Sequence, residues 1–187
     1  AVGYTYNNTM VIYCGNEGSV EGDVAVGGVC GEAQFGAFGA YNTGTIVGES
    51  YTAGIAGCTS VGVIYNSVNA GLINGGTYTS GIVGKTNMGS LAINHNYGII
   101  DGKGSHAGGI VGLGSNCTMI NYCGNHGTIK SSSGESVGGI VGEIGDPSNW
   151  TLKNTANCIL GTIEITMGII GPAFAMYELK GGKVPKA

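Results

Sequence analysis

The residues of this chain that could do chemistry are its three histidines, its eleven carboxylates and its six cysteines. His95 lies immediately before, and His126 immediately after, an asparagine that recurs at equivalent positions of a repeat described below. Because the two histidines flank that asparagine from opposite sides, we expect their side chains on opposite faces of a strand. His106 lies near a different corner of its repeat unit. The spacing therefore predicts isolated histidines and no shared metal site.

The acidic residues could supply the carboxylate pair with which glycan-cleaving enzymes act. Glu49, Asp101 and Glu135 could share one face, but their positions within the repeat do not align well. The sequence also lacks a nucleophile-elbow motif, a phosphate-binding Gly-Lys-Ser/Thr loop and the periodic aspartates of a calcium-binding repeat. We therefore predict no catalytic residue, no metal and no cofactor, in a protein that is not an enzyme.

The cysteines leave two interpretations open. An even number of cysteines in a secreted chain permits disulfides, although their connectivity cannot be deduced from sequence. The alternative is free thiols that pack inside the protein as small apolar side chains. The cysteines considered as disulfide candidates are Cys30, Cys58, Cys123 and Cys158.

Composition limits the classes of partner. Only 10% of the residues are charged, the net charge is -4, and all seven basic residues are lysines. Such a chain lacks the clustered basic side chains that bind nucleic acid or anionic lipid. Its apolar runs are far shorter than the ~20 residues that a membrane-spanning helix needs. We therefore expect no nucleic-acid partner and no membrane insertion.

Two short signatures recur along the chain at one common period. The first is a glycine, two small apolar residues and a second glycine, and its first glycines are Gly28, Gly54, Gly81, Gly109, Gly139 and Gly168. The second is an asparagine, any residue, a glycine, any residue and Val or Ile, and its asparagines are Asn16, Asn42, Asn69, Asn96, Asn125 and Asn157. The last asparagine copy is degraded by a two-residue insertion. Because both signatures stay in phase at about 27 residues, they indicate a repeat architecture.

The repeat unit predicts an all-β fold. Each copy has short runs rich in Val, Ile, Thr and Tyr, separated by the Gly, Asn and Ser that tolerate tight corners. In the fifth copy we identify three runs, at 119–122, 127–130 and 137–141. Three strands and three corners per copy predict a parallel β-helix of about six coils, for which right-handed winding is expected. A Gly-rich β-sandwich or a propeller is the alternative, but a propeller blade needs a longer period.

The same pattern predicts one domain over residues 1–187. Residues 1–8 would form an N-terminal strand or arm, residues 9–171 the coils, and residues 172–187 a tail that acts as a cap or an exchanged strand. The asparagine column is expected to be structural, with each side chain bonding to backbone or to the next asparagine. The glycine column is expected to line a narrow lumen.

Two surface features suggest possible ligands or modifications. The ten tyrosines are spread over most coils, where they could pack on strand faces or bind glycan or protein. The candidate glycosylation sites are Asn7, Asn116 and Asn149.

Segments 107–112 (AGGIVG) and 120–127 (INYCGNHG) resemble the GLUG-type repeat. That repeat occurs in large bacterial surface proteins, including adhesins and some immunoglobulin-A-directed peptidases. The resemblance covers roughly residues 9–171 and implies a β-solenoid at a cell surface. The His-Glu-x-x-His motif of the peptidases does not occur in this sequence, so the resemblance carries over no catalytic residue.

These observations predict a non-enzymatic extracellular structural protein, either a self-assembling filament subunit or an adhesin stalk, located outside the cell or at its surface. Its expected partners are copies of itself arranged head to tail, or neighbouring repeats of a longer chain, with a host protein or glycan as a further candidate. The filament prediction depends on the lack of an obvious cap at either end of the repeats. The alternative is a glycan-binding or glycan-cleaving β-helix module of a larger secreted protein.

Overall fold

The computed structural model describes residues 2–7, 9–116, 119–133, 135–145, 151–153, 155–157 and 162–165. The regular structure of these residues is entirely β-strand, and their strands pair in parallel across successive turns. Six equivalent strands stack along each sheet, one from each successive pass of the chain, so the described part of the chain makes about five turns. Equivalent residues such as Ile46 and Ile73 lie 27 positions apart in the paired register. The protein is therefore a parallel β-solenoid, as the sequence predicts.

Four sheets run along the solenoid. The strands of sheet 1 are Val2–Thr5, Cys30–Ala33, Ala56–Thr59, Val83–Asn87, Val111–Ser115 and Val141–Ile144. The strands of sheet 2 are Val11–Ile12, Gly36–Phe38, Val63–Tyr65, Ser90–Ala92, Met119–Asn121 and Thr151–Lys153. The strands of sheet 3 are Gly15–Asn16, Tyr41–Asn42, Val68–Asn69, His95–Asn96, Gly124–Asn125 and Ala156–Asn157.

Sheet 4 has two legs. The strands of its first leg are Ser19–Glu21, Thr45–Ala53, Leu72–Ser80, Ile99–Gly102, Thr128–Ser131 and Thr162–Ile165. The second leg adds Val24–Gly27, Ala107–Gly108 and Val137–Gly138, while the strands Thr45–Ala53 and Leu72–Ser80 continue through both legs.

The prediction of three strands per coil is wrong. Sheet 3 was missed because its strands have only two residues, too few for an alternating pattern to show. The predicted run 137–141 is divided, because Val137–Gly138 belongs to sheet 4 and Val141–Ile144 to sheet 1. The bend at Gly139 and Ile140 therefore joins two sheets instead of lying within one strand.

Columns of aliphatic side chains fill the interior. Four isoleucines that end copies of the asparagine signature, and four of the glycine signature, are completely or almost completely buried; they are Ile46, Ile73, Ile100, Ile129, Ile55, Ile82, Ile110 and Ile140. Burying one such side chain is worth roughly 1.5–3 kcal/mol. Each turn contributes only one side chain to a column, so these side chains become buried only when several turns stack.

The asparagine column forms a continuous ladder inside sheet 3. The side-chain nitrogen of each asparagine donates to the side-chain oxygen of the next, at 2.8 Å from Asn16 to Asn42 and from Asn42 to Asn69. The chain of bonds continues at 2.7 Å to Asn96 and at 2.7 Å to Asn125. The predicted structural role of these residues is confirmed. The backbone of the sixth member, Asn157, pairs in the same register.

The glycine column packs against that ladder. A Cβ atom at Gly81 would lie 2.5 Å from the Asn96 side chain and 2.5 Å from the Gly109 carbonyl oxygen. Gly54 faces the side chain of Asn69 in the same way. Only glycine leaves room for the backbone this close to the ladder, so the predicted narrow lumen is confirmed here. Gly168 lies outside the described residues.

Several corners hold non-glycine residues in the left-handed region of backbone space. One column of such residues lies in the second leg of sheet 4, with φ of 52° at Tyr51, 59° at Tyr78 and 66° at His106. This conformation is uncommon for residues other than Gly, although Asn, Asp and His adopt it more often than the others. Its recurrence once per turn stacks three ring-bearing residues along one edge of the solenoid.

Candidate functional site

Two histidines of consecutive turns meet on the outer side of sheet 3. The Nδ1 atom of His95 lies 3.2 Å from the Nε2 atom of His126. Both rings are half-buried, and their centroids are 5.3 Å apart. The expectation that the two side chains lie on opposite faces is therefore wrong.

The error has a simple geometric cause. Successive residues of a strand alternate between faces, so the residues before and after an inward asparagine both point outward. In the paired register, His95 lies opposite Gly124 and Asn96 lies opposite Asn125. His126 is thus two positions beyond the partner of His95 and shares its face.

Gly124 and Tyr97 shape this histidine pair. A Cβ atom at Gly124 would lie 2.8 Å from the Nε2 atom of His126 and 3.0 Å from the Nδ1 atom of His95, so glycine leaves the space in which the two nitrogens meet. The Tyr97 ring stacks on His126 with centroids 4.5 Å apart and an angle of 11° between the planes. Burial lowers the pKa of both imidazoles, and in His95 the nearby His126 lowers it further. Both rings are therefore favoured in the neutral form, which exposes a nitrogen lone pair.

The third histidine belongs to a separate aromatic column. Tyr51 stacks on Tyr78 at 5.4 Å between centroids, and Tyr78 stacks on His106 at 4.8 Å. The Nε2 atom of His106 is 3.1 Å from a carboxylate oxygen of Glu143. Burial, followed by the charge of Glu143, raises the pKa of Tyr78. The Nζ atom of Lys85 lies 5.0 Å from the centre of the Tyr51 ring, within range of a cation–π interaction.

A shallow groove of about 470 Å³ runs beside this aromatic column on the outer face of sheet 1. Its lining combines an aromatic ring with amide, hydroxyl and charged groups, and includes Glu32, Tyr51, Ser60, Lys85, Asn87 and Asn116. Aromatic faces and hydrogen-bonding side chains of this kind suit a polar ligand with apolar C–H faces, such as a sugar.

The carboxylates considered as a glycan-cleaving pair, Glu49, Asp101 and Glu135, do not come together. In the paired register, Asp101 lies between Asn74 of the turn before and Lys130 of the turn after. Asn74 in turn pairs with Val47, so Glu49 is two turns and two residues away from Asp101. Glu135 belongs to a different part of the turn, where its carbonyl oxygen accepts a hydrogen bond from the His106 amide. Among the described residues, no group of three or more His, Cys, Asp or Glu side chains is arranged to hold a metal ion.

The cysteines in the described regions are free thiols. Cys30 and Cys123 are buried, Cys58 is half-buried and Cys14 is exposed. Although Cys30 and Cys58 belong to adjacent strands of sheet 1, Cys30 pairs with Ala56 and Cys58 with Glu32, two residues further on. The disulfide interpretation is therefore corrected for Cys30, Cys58 and Cys123, and Cys158 lies outside the described residues.

Burial is also the main cause of the low reactivity expected of these thiols. It raises the pKa of Cys30 to about 11 and that of Cys58 to about 11, and the negative charge of Glu32 adds to both shifts. Burial raises the pKa of Cys123 as well. Since the thiolate is the nucleophilic form, none of the three is activated at neutral pH.

Two of the three candidate glycosylation sites can be located. Asn7 and Asn116 are exposed, each at a corner with positive φ, while Asn149 lies outside the described residues. The side-chain nitrogen of Asn116 donates a hydrogen bond to the side-chain oxygen of Asn87. Use of either site stays a prediction.

Sequence reasoning missed both the histidine pair and the aromatic column. The signal for the column was the repeat period itself, because Tyr51, Tyr78 and His106 follow one another at 27 and 28 residues. The signal for the pair was a two-residue offset between His126 and the position opposite His95.

Parallel pairing through about five turns defines the protein as a β-solenoid, and comparison with solved structures supports this class. A crystal structure from Bacteroides ovatus, described as a "putative immunoglobulin A1 protease", matches with a TM-score of 0.70 at 19% sequence identity. The match covers 83% of this chain and 53% of that one, so the present chain spans about half of its length. At this identity the likeness shows the fold alone. No family model matches the sequence, and comparison with curated proteins gives no match.

No helix in the described residues is long and apolar enough to cross a membrane.

Proposed function

We propose that this chain is a β-solenoid module of a larger secreted protein, in which it acts as a rigid, non-enzymatic stalk built from GLUG-type repeats. The observation that carries the proposal is the uninterrupted asparagine ladder, which links Asn16 to Asn125 through four side-chain hydrogen bonds of 2.7–2.8 Å. A stalk at the cell surface must keep its length and direction, and a buried ladder that joins every turn serves that purpose.

The ladder fixes the turns in register as well as holding them together. Each buried amide needs both its donor and its acceptor satisfied, so a slipped turn would leave polar groups unpaired inside the protein. The aliphatic columns also fix the register, because a one-residue slip would turn every buried side chain of a strand to the outer face. Each turn of about 27 residues adds about 4.8 Å to the stalk.

Two further observations support a module with a neighbour. The solved structure of similar fold extends well beyond the matched region, since only 53% of it is covered. At the first described turn, apolar and aromatic side chains are exposed beside an unpaired strand edge; these are Val2, Tyr4, Tyr6, Met10, Ile12, Tyr13 and Val24. A further coil, from the same chain or from a second copy, would pair with this open strand edge.

A single-coil deletion tests the stalk. Removing residues 44–70 joins Thr43 to Gly71, which follows the equivalent asparagine one turn later. We expect the shortened protein to keep its β-type circular dichroism and cooperative unfolding, with a scattering profile shorter by about 4.8 Å. As the matched control, removal of residues 44–57 breaks the register by about half a turn and is expected to prevent folding. Equal behaviour of the two deletions would contradict the stalk proposal.

Assembly is tested separately, because a filament and a stalk differ in how they depend on concentration. For a stalk, light scattering is expected to report a monomer across a dilution series, and electron microscopy short rods of constant length. Long unbranched rods that dissolve on dilution would instead favour the filament subunit. The tail predicted to act as a cap or an exchanged strand, residues 172–187, lies outside the described residues.

A second candidate function, glycan binding, is favoured by the groove beside Tyr51. An aromatic ring, the Lys85 ammonium group and the Asn87 amide converge there. A glycan array followed by titration of the best oligosaccharide tests this function. Tyr51→Ala is expected to abolish binding, while Tyr65→Ala is the control, because Tyr65 stacks on Phe38 outside the groove. Equal binding by both variants would exclude the groove as the site.

A further inference from the structure

The histidine pair on sheet 3 has a geometry that neither a stalk nor a glycan groove requires. We propose that His95 and His126 bind one divalent transition-metal ion of the Cu²⁺, Ni²⁺ and Zn²⁺ class, which bridges two consecutive turns of the solenoid. The ligands are the Nδ1 atom of His95 and the Nε2 atom of His126. Solvent completes the coordination on the outer side, where both rings are half-exposed.

The separation of the two nitrogens fits a shared ion. Imidazole nitrogens bind zinc at ~2.0–2.1 Å. Two nitrogens 3.2 Å apart that each lie at that distance from one ion subtend an angle of about 100° at the ion. This value lies between the 90° of square-planar coordination and the ~109° of tetrahedral coordination. The separation of the two nitrogens is therefore compatible with either geometry.

Protonation of the pair is compatible with binding. Without metal, one of the two facing nitrogens carries a hydrogen and donates it to the nitrogen of the other ring. With metal, His95 carries its proton on Nε2 and His126 carries its proton on Nδ1, so both facing lone pairs point at the ion. The change is a tautomeric shift through solvent, with no oxidation and no net loss of protons from two neutral rings.

The surroundings position the rings before any ion arrives. Gly124 provides the space between them, since a Cβ there would lie 2.8 Å from one ligand atom and 3.0 Å from the other. The stacked ring of Tyr97 restricts rotation of His126. Short strands joined to the asparagine ladder hold both backbones, because Asn96 donates to Asn125 at 2.7 Å directly beneath the pair. Preorganised ligands lose little freedom on binding, which favours affinity.

Calorimetric titration of the full chain, without a polyhistidine tag, tests the proposal with Ni²⁺, Cu²⁺ and Zn²⁺ in turn. A Cys14→Ser background removes the exposed thiol, which could bind metal by itself. We expect one ion per chain, and at least tenfold weaker binding in both His95→Asn and His126→Asn. His106→Asn is the matched control and is expected to change the affinity less than twofold, because that ring lies in the aromatic column.

Gly124→Ala separates the proposed geometry from the mere presence of two histidines. Its methyl group is expected to push the rings apart and to weaken binding at least tenfold, while both ligands remain. Circular dichroism of each metal-free variant verifies that it is folded, and electron paramagnetic resonance of the Cu²⁺ complex is expected to show coupling to two imidazole nitrogens. Absence of binding by the wild-type chain up to millimolar ion, or equal affinity in Gly124→Ala and wild type, would overturn the proposal.

Discussion

Replacing Asn69, in the middle of the asparagine ladder, should cost far more stability than replacing the first member. The Asn69 side chain is completely buried. Its oxygen accepts a hydrogen bond of 2.8 Å from Asn42 and one of 3.3 Å from the Gly71 amide. Its nitrogen donates one of 2.7 Å to Asn96. Three hydrogen bonds therefore depend on one side chain.

The magnitude follows from the groups left behind. In Asn69→Ala, one N–H of the Asn42 side chain and the amide N–H of Gly71 would lose their acceptor inside the protein, while the Asn96 oxygen would keep the hydrogen bond from the Gly98 amide. A buried polar group that loses its partner costs about 1–3 kcal/mol, so the two together cost roughly 2–6 kcal/mol. Domains of this size are typically stable by only ~5–15 kcal/mol. By contrast, Asn16 is half-exposed and ends the ladder, so Asn16→Ala should cost about 1 kcal/mol.

Urea unfolding followed by circular dichroism measures both variants, with tyrosine fluorescence as the second probe for a two-state transition. Asn69→Asp adds a test of direction, because it keeps the shape but replaces the donor with an acceptor that faces the Asn96 oxygen. We expect it to destabilise the protein at least as much as Asn69→Ala. A loss below 1 kcal/mol in Asn69→Ala, or a loss no greater than in Asn16→Ala, would refute the idea that the ladder holds the turns in register.

Three further predictions concern the lumen and the thiols. Gly81→Ala is expected to prevent folding or to cost several kcal/mol, whereas Gly3→Ala should be nearly neutral because no atom lies within 4 Å of a Cβ there; thermal denaturation compares them. Peptide-level mass spectrometry after iodoacetamide treatment at pH 7.5 should show Cys14 modified much faster than Cys30 and Cys58. Since the folded pKa of Cys30 and Cys58, about 11, exceeds the ordinary 9.0, their contribution to stability is complete below pH 9 and is lost as pH rises through 11. Unfolding free energies at pH 8 and pH 10.5 should therefore differ more in the wild type than in Cys30→Ala, and an equal difference would contradict the assigned shift.

The features that sequence predicts well are those that recur once per turn. Asn69 and Gly81 each belong to a column whose members stay in phase, and the structure places those columns in contact. A repeat of this kind encodes register directly, because each turn pairs with the next at the same offset. A constant offset likewise pairs Asp101 with Lys130 of the next turn.

Knowing which residues recur was not enough to predict every feature. Sheet 3 is made of strands such as Val68–Asn69, whose two residues give no alternation to detect. The division of 137–141 between two sheets depends on a bend at glycine and isoleucine residues that also occur inside strands. The aromatic column recurs at the right spacing, yet it mixes tyrosine with histidine and so does not match as a motif.

The histidine pair shows what a fuller use of the register can predict. His95 and His126 lie 31 residues apart, whereas the local turn offset is 29, as the pairing of His95 with Gly124 shows. The remainder of two residues keeps both side chains on one face, because faces alternate with period two. A glycine at the intervening position then allows the rings to meet diagonally instead of being held apart by a side chain. In a solenoid, pairs of ligating residues should therefore be sought at the local turn offset plus or minus two, with glycine opposite one of them, as well as at the offset itself.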